Sequence, residues 1–282
     1  MPLQQVKQIK FYVLDKIIVK NRDHGGVVVG AYGEMGSGKT TLLLRLAEQM
    51  VMRGEKVIWR GMHSCQWLYS PVPVNLLLPK NAETTLTVMD RIEDKTVGDF
   101  APQELLGQFF DRLSFYTSIE SIYSKVKKNY LNAVYFLDIY DWLDFFKLLL
   151  LRKDVNWISI FFDEVEDIFP MNPSGEAWTK CEKGSKLIKE FRKNYISLYM
   201  ASQQPSKIDY RILFNVQFDI YLKGAKVRKG SIVDPELVKT GLKKGEAVIE
   251  GDNYEIFTFE KIDKPRYALK ISLRAEGDSP SI

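Results

Sequence analysis

Cysteine is nearly absent from this chain: Cys65 and Cys181 are the only two in 282 residues and stand far apart. That excludes a disulfide framework or a cysteine-based metal site, and both are expected to be buried or idle thiols. Histidine is as scarce, with His24 and His63 lacking any ligand or triad partner at a recognisable spacing, so loop or surface roles are expected of them. Neither sign of charge dominates, since 40 Lys and Arg against 36 Asp and Glu leave only +4. A net charge this small does not imply nucleic acid. Long uninterrupted apolar runs are missing too. The most apolar stretch, 134–151, carries Asp138, Asp141, Asp144 and Lys147 at every third residue, the polar stripe of an amphipathic helix and not a membrane span. Its Trp142, Phe145 and Phe146 are then core residues and not a lipid anchor. Lys7, Lys10, Asp15 and Lys16 break the first apolar stretch, no small-residue cleavage site follows, and a cytoplasmic protein is expected.

What is present is an ordinary globular composition, 45% hydrophobic and 27% charged, enough for one elaborated α/β domain. The reading places that domain at 23–262, after an N-terminal segment 1–22 that fits either helix or strand, and ends with an extension at 263–282. Val27 to Ala31 is a β-branched run typical of a strand buried on both faces; Thr41 to Met52 reads as a helix and Lys56 to Arg60 as the next strand. This strand, loop, helix, strand order is that of a parallel α/β unit. Pro71, Pro73 and Pro79 then argue against a central strand, and about 62–112 is read as a small insertion of short strands and turns. Alternation resumes with a strand near Ser114 to Thr117, a helix from Ser118 to about Lys128 and a strand near Ala133 to Leu137. Trp157 to Phe162 and Ile196 to Ala201 have the look of central strands, with a helix over Gly184 to Lys193 between them. Phe214 to Leu222 and Ala247 to Phe259 resemble late strands, and the polar tail from Glu276 is expected to fray.

The strongest signal follows the first strand directly. Gly33, Glu34, Met35, Gly36, Ser37, Gly38, Lys39 and Thr40 form a glycine, four residues, then Gly-Lys-Thr, opening a helix whose next residue is Thr41. A triphosphate needs several backbone N–H groups aimed at one point, which demands glycine dihedrals and the positive end of a helix dipole. Lys39 is expected to reach the β- and γ-phosphates of ATP, and the Thr40 hydroxyl to ligate Mg2+. A second pattern supports the first. The apolar run Ile158 to Phe162 ends in Asp163 and Glu164, delivering one acid for the magnesium and a second that orients or deprotonates the attacking water. The long stretch between Thr40 and Asp163 leaves room for the extra strands of the RecA-like (ASCE) P-loop NTPases, whose mainly parallel central sheet is flanked by helices.

A third stretch, Leu198-Tyr199-Met200-Ala201-Ser202-Gln203-Gln204-Pro205-Ser206-Lys207-Ile208-Asp209, resembles the third motif of the FtsK and HerA superfamily of DNA-pumping ATPases. There a hydrophobic strand ends in Ala-Thr-Gln-Arg-Pro-Ser. Ala201, Gln203, Pro205 and Ser206 match, Ser202 replaces Thr with another hydroxyl, and Gln204 departs from the family's Arg. The resemblance implies that Gln203 senses the γ-phosphate or the attacking water, and that the Ile196 strand lies between the P-loop strand and the Asp163 strand. It also implies a homo-oligomeric ring, a hexamer, with a DNA partner. Arg192-Lys193 resembles the family's Arg-Lys pair ahead of this strand, and Arg192 and Arg211 are the candidates for an arginine finger, each weighed against a plain solvated arginine. Minimal viral and plasmid packaging ATPases are the nearest type, with Zot-like proteins as neighbours.

Basic residues cluster over Lys180 to Lys193, six against two acids, and Lys223 to Lys244, seven against two. These are read either as a solvated face or as a surface tracking DNA phosphates. With no aromatic interleaving seen there, sequence-blind contact with duplex backbone is favoured over stacked bases. Two rivals stay open. A small P-loop kinase would need neither Glu164 nor Gln203, and a nucleotide-gated assembly or scaffold protein would hydrolyse ATP slowly or never.

Overall fold

The computed structural model of the chain describes residues 25–61, 70–90, 95–97, 112–154, 156–263 and 267–275. His24, His63, Cys65, the N-terminal segment 1–22 and the tail from 276 lie outside them. Among the described residues the elements run, in chain order, β1 (Val28–Tyr32), α1 (Lys39–Met52), β2 (Lys56–Arg60), β3 (Val74–Pro79), β4 (Ala82–Asp90), β5 (Lys95–Val97) and β6 (Leu113–Tyr116). Then come α2 (Ile119–Lys125), β7 (Leu131–Val134), α3 (Asp141–Leu151), β8 (Ile158–Phe162), α4 (Gly175–Phe191), β9 (Ile196–Ser202), α5 (Tyr210–Leu213), β10 (Phe218–Leu222), β11 (Glu246–Glu250), β12 (Tyr254–Thr258) and β13 (Tyr267–Ala275). No helix among the described residues is long and apolar enough to cross a membrane.

The chain divides into two compact units. The first takes in the described residues up to Arg45 and Phe162–Lys261. Here β1 pairs in parallel with β10 on one side and β9 on the other, and β10 continues antiparallel into the β11–β12 hairpin. Every residue of β1 and β9 is buried, the pattern of parallel strands covered on both faces. The Ile196 strand thus lies beside the P-loop strand, and the turn Val165–Asp167 that follows Asp163 packs against it.

The second unit is Leu46–Phe161 with the residues from Ile262 on. Its strands β8, β2, β7, β3 and β6 are neighbours in that order, and all of the pairs among them are parallel. The prolines misdirect here. Val74–Pro79 is fully buried and sits between β7 and β6, so it is a central strand and not part of an insertion. Pro73 precedes it and Pro79 is its last residue. Neither removes a donor from the strand interior, which is the reason proline is excluded from central strands. The inserted part proper is β4 and β5, and β4 pairs along its whole length with β13, Tyr267 opposite Asp90 through to Ala275 opposite Ala82. Insertion and C-terminal extension therefore build one small antiparallel sheet.

Smaller shifts have local causes. The striped helix starts at Asp141 because Asp138 accepts a hydrogen bond from the Tyr140 N–H at 2.8 Å in a turn that ends the preceding segment. Trp142, Phe145 and Phe146 are buried as expected. Phe214 closes α5 instead of opening β10, and 247–259 is a hairpin, not one strand. Cys181 is a free, buried thiol; burial pushes it up to about 11, which keeps it inert at neutral pH.

Candidate nucleotide-binding site

All of the loop, the acids and the third motif fall within the first unit. β1 ends at Tyr32 and the loop leaves from Gly33, whose N–H donates to the Ser202 carbonyl at 3.4 Å. Tyr32 is in register with Ser202, so Gln203 emerges beside the first glycine of the loop. Gly36 and Gly38 have φ of +77° and +105°, a region closed to most side chains. A Cβ on Gly38 would also stand 3.1 Å from the Phe259 ring. Met35 at the loop tip is 88% exposed.

The Lys39 ammonium folds back into the loop and donates to the carbonyls of Gly33 at 2.8 Å and Glu34 at 3.0 Å. Burial lowers it below the ordinary lysine value, against Asp163, Glu166 and Glu164, which raise it; Lys207 adds to the lowering. The Thr40 hydroxyl donates to Asp163 Oδ2 at 2.5 Å, and Asp163 is 5% exposed. A hydroxyl and a carboxylate brought together at the first turn of the helix are hard oxygen donors, the set that fits Mg2+ alongside phosphate oxygens and water. Inside the loop the buried Ser37 hydroxyl has no hydrogen-bond partner among the described residues, as suits a cradle for phosphate oxygens.

Glu164 follows Asp163 in the left-handed region at φ +56°, a conformation costing a non-glycine residue on the order of 1–3 kcal/mol. The turn exposes its side chain. Three further residues, to which the sequence motifs assign no role, complete the arrangement. Glu166 accepts from the Gln203 N–H at 3.5 Å through Oε1, and its buried Oε2 has no partner among the described residues. Lys207 donates to Gln203 Oε1 at 2.6 Å. Arg45, on α1, donates to the carbonyls of Lys261 at 2.9 Å and Glu260 at 3.4 Å, tying the segment that carries Phe259 to the loop helix.

The two arginines are placed differently. Arg211 is held by Asp209, Nε to Oδ1 at 2.9 Å and Nη2 to Oδ2 at 2.7 Å, and its guanidinium lies 4.7 Å from the Trp178 ring centroid. Arg192 is exposed, and its carbonyl accepts from the Gly26 N–H at 2.9 Å. That contact is at the entrance to β1, a strand length of about 17 Å from the loop at its exit. Arg211 is thus engaged by Asp209 and Trp178, and Arg192 lies at the end of β1 away from the loop.

Much of the excess basic charge is matched locally: Lys180 with Glu176, Lys186 with Glu182, Lys193 with Glu190, Arg228 with Asp219 and Lys239 with Glu236. Aromatic interleaving, not visible along the sequence, arises in space. Trp178 on α4 and Tyr210 and Phe214 on and after α5 are 48%, 58% and 78% exposed around Arg211. Helix packing joins these positions, which the chain keeps apart and which lie outside both basic stretches.

No family model matches the chain, and no curated protein does. Among solved structures, the genome packaging NTPase B204 from Sulfolobus turreted icosahedral virus 2 in complex with ATP-gammaS is similar over 85% of this chain and 97% of that one, at 17% identity and a TM-score of 0.50. Its sulfate complex is similar at 18% identity, over 86% and 97%, again with a TM-score of 0.50. The N-terminal domain of zonular occludens toxin from Neisseria meningitidis matches at 13% identity over 84% and 96%, with a TM-score of only 0.34, too distant to bear on the fold. The likeness to B204 shows a shared fold, and it agrees with the FtsK and HerA resemblance of the three motifs. With a complete phosphate loop in the right strand and helix context, the protein has the RecA-like, mainly parallel fold of the P-loop NTPases.

Proposed function

We propose that the protein is an ATP-driven motor that moves DNA, of the kind that packages genomes, and that it works as a ring, a hexamer, gripping duplex DNA by its phosphate backbone without regard to sequence. The observation that carries the reading is the convergence of three separate sequence stretches. Thr40 meets Asp163 at 2.5 Å, while the Gly33 contact with Ser202 places Gln203 at the same loop. A small kinase needs no such sensor or following acid, and B204, which shares the fold, is a genome packaging NTPase.

In this reading Gly33 to Thr41 bind the triphosphate through backbone N–H groups, and Lys39 exchanges its carbonyl partners for β- and γ-phosphate oxygens. Thr40 and Asp163 would hold Mg2+, whose chemistry is to neutralise charge on those oxygens. Glu164 takes the proton of the attacking water as the oxygen bonds to the γ-phosphorus and the bond to ADP breaks. Gln203 orients that water. For Arg192 or Arg211 to serve as the finger it must act on a neighbouring subunit, Arg211 by leaving Asp209.

The test is ATP hydrolysis with and without duplex DNA in low salt. Stimulation by DNA supports the motor. Hydrolysis that neither duplex nor single-stranded DNA changes, with the ring shown to be assembled, replaces it with the scaffold reading.

A further inference from the structure

Lys207 is a cation at the sensor to which the third motif assigns no role. Gln203 leaves β9 beside Gly33, and the chain then turns through Pro205–Lys207, the Lys207 N–H donating to the Gln204 carbonyl at 3.1 Å. That single turn returns the Lys207 side chain onto the Gln203 amide oxygen at 2.6 Å. The turn is braced on both sides. The Ser202 hydroxyl donates to the Gln204 carbonyl at 3.0 Å, the Met171 N–H donates to the Lys207 carbonyl at 2.8 Å, and Pro205 and Ile208 are buried. The backbone of Lys207 is thus fixed at the end of the sheet that carries the loop, and only its side chain is exposed.

Among the described residues the Lys207 ammonium makes no ion pair; the partner it holds is the neutral Gln203 amide. Structural lysines of this unit, such as Lys180 and Lys186, sit on carboxylates instead. A strongly hydrated ammonium parked on a neutral oxygen loses little by moving to a polyanion, whereas one paired to a carboxylate would leave a bare charge behind. Its field reaches the loop lysine, since Lys207 is among the groups that lower Lys39. Two cations that feel each other at one loop repel without a ligand, and both gain when a γ-phosphate binds there.

We propose that Lys207 is a second γ-phosphate cation acting within its own subunit, delivered by Gln203 and neutralising the charge that develops as the β–γ bond breaks. The proposal rests on the ATPase reading above. Lys207 transfers no proton: the water proton goes to Glu164, the leaving oxygen stays with ADP, and the ammonium acts by charge and hydrogen bonding alone.

The experiment compares wild type, Lys207→Ala and Lys207→Arg for kcat, KM, ADP affinity and binding of ADP with aluminium fluoride, a mimic of the transferring phosphoryl group. Lys207→Ala is expected to lower kcat about a hundredfold with KM and ADP affinity unchanged, and to lose the extra affinity for ADP with aluminium fluoride. Lys207→Arg recovers most of both. A Lys207→Ala protein that turns over as wild type, or that loses ADP and the fluoride complex equally, overturns the assignment, the second result marking a role in turn structure only. If wild type itself shows no turnover, the ATPase reading falls and this inference with it; wild-type turnover with an indifferent Lys207→Ala defeats Lys207 alone.

Discussion

In the proposed mechanism, single side chains at the loop divide into those that bind and those that turn over. Lys39 lies inside the loop and Glu164 is exposed beyond Asp163, so Lys39→Ala should abolish ATP binding, whereas Glu164→Gln should bind ATP normally and lose turnover by two orders of magnitude or more, roughly the weight of a general base. Nucleotide binding followed by fluorescence, beside single-turnover hydrolysis, separates the two; equal loss of binding in both would refute the roles. Asp209 and Arg211 are a residue-scale matter of stability. Asp209 is 1% exposed. Burial would raise its carboxyl, but the Arg211 hydrogen bonds and charge outweigh this and hold it below the ordinary value. A lowered folded-state pKa contributes stability that is complete above the unfolded value near 4 and is lost as the pH falls through the folded one. Arg211→Met should therefore cost about 2 kcal/mol near pH 7, between an exposed and a fully buried pair. The gap to wild type should shrink below about pH 4, where the Asp209 of both proteins becomes protonated. Denaturant midpoints across pH 3 to 7 would show it, and a gap independent of pH would mean the ion pair is not its source.

At the scale of elements, the parallel strands of the second unit are keyed together by a polar network inside the sheet. Asn132 on β7 is fully buried and donates to the carbonyls of Val57 on β2 and Lys127, and its oxygen accepts from Asn75 on β3 at 2.9 Å and from the Lys127 N–H at 2.8 Å. Asn75 in turn accepts from Ser114 on β6 at 2.8 Å. Asn132→Ala should cost about 3 kcal/mol, since it strands several buried partners at once, measured by urea unfolding; a loss under 1 kcal/mol would mean that the partners find water. The small antiparallel sheet offers a second check. Removing the residues from 263 on leaves β4 paired with β5 alone and exposes a nine-residue edge. The truncated protein should melt lower and aggregate more readily while still binding ATP, because the loop belongs to the other unit. Loss of ATP binding would contradict the separation.

For the whole molecule, a motor that grips phosphates through Lys and Arg releases counterions, so DNA stimulation of hydrolysis should fade as salt rises from about 50 to 200 mM. The surface proposed to grip is narrower than composition suggests. Arg228 is bound to Asp219 at 2.9 Å and to the Leu213 carbonyl at 3.3 Å, so it is not available as Lys226 and Lys229 are. Lys226→Ala with Lys229→Ala should weaken stimulation and reduce the salt dependence, leaving the DNA-free rate intact, while Arg228→Ala should act through stability instead. Stimulation indifferent to salt would argue against backbone gripping.

The patterns of the phosphate loop, of Asp163 and Glu164 and of the Gln203 stretch, which the fold brings together, were legible in the residues alone, because phosphate binding demands particular residue types at short, fixed spacings, and a short local pattern survives in a linear string. The buried parallel strands were legible for a similar reason, as apolar runs bounded by turns. Only the tertiary structure decided the rest. Proline positions relative to a strand end, the pairing of 82–90 with 267–275, the meeting of Trp178 with Arg211, and the return of Lys207 onto Gln203 depend on which segments become neighbours in space. Those contacts join residues separated along the chain or by a turn whose direction is set by packing, and no local spacing encodes them.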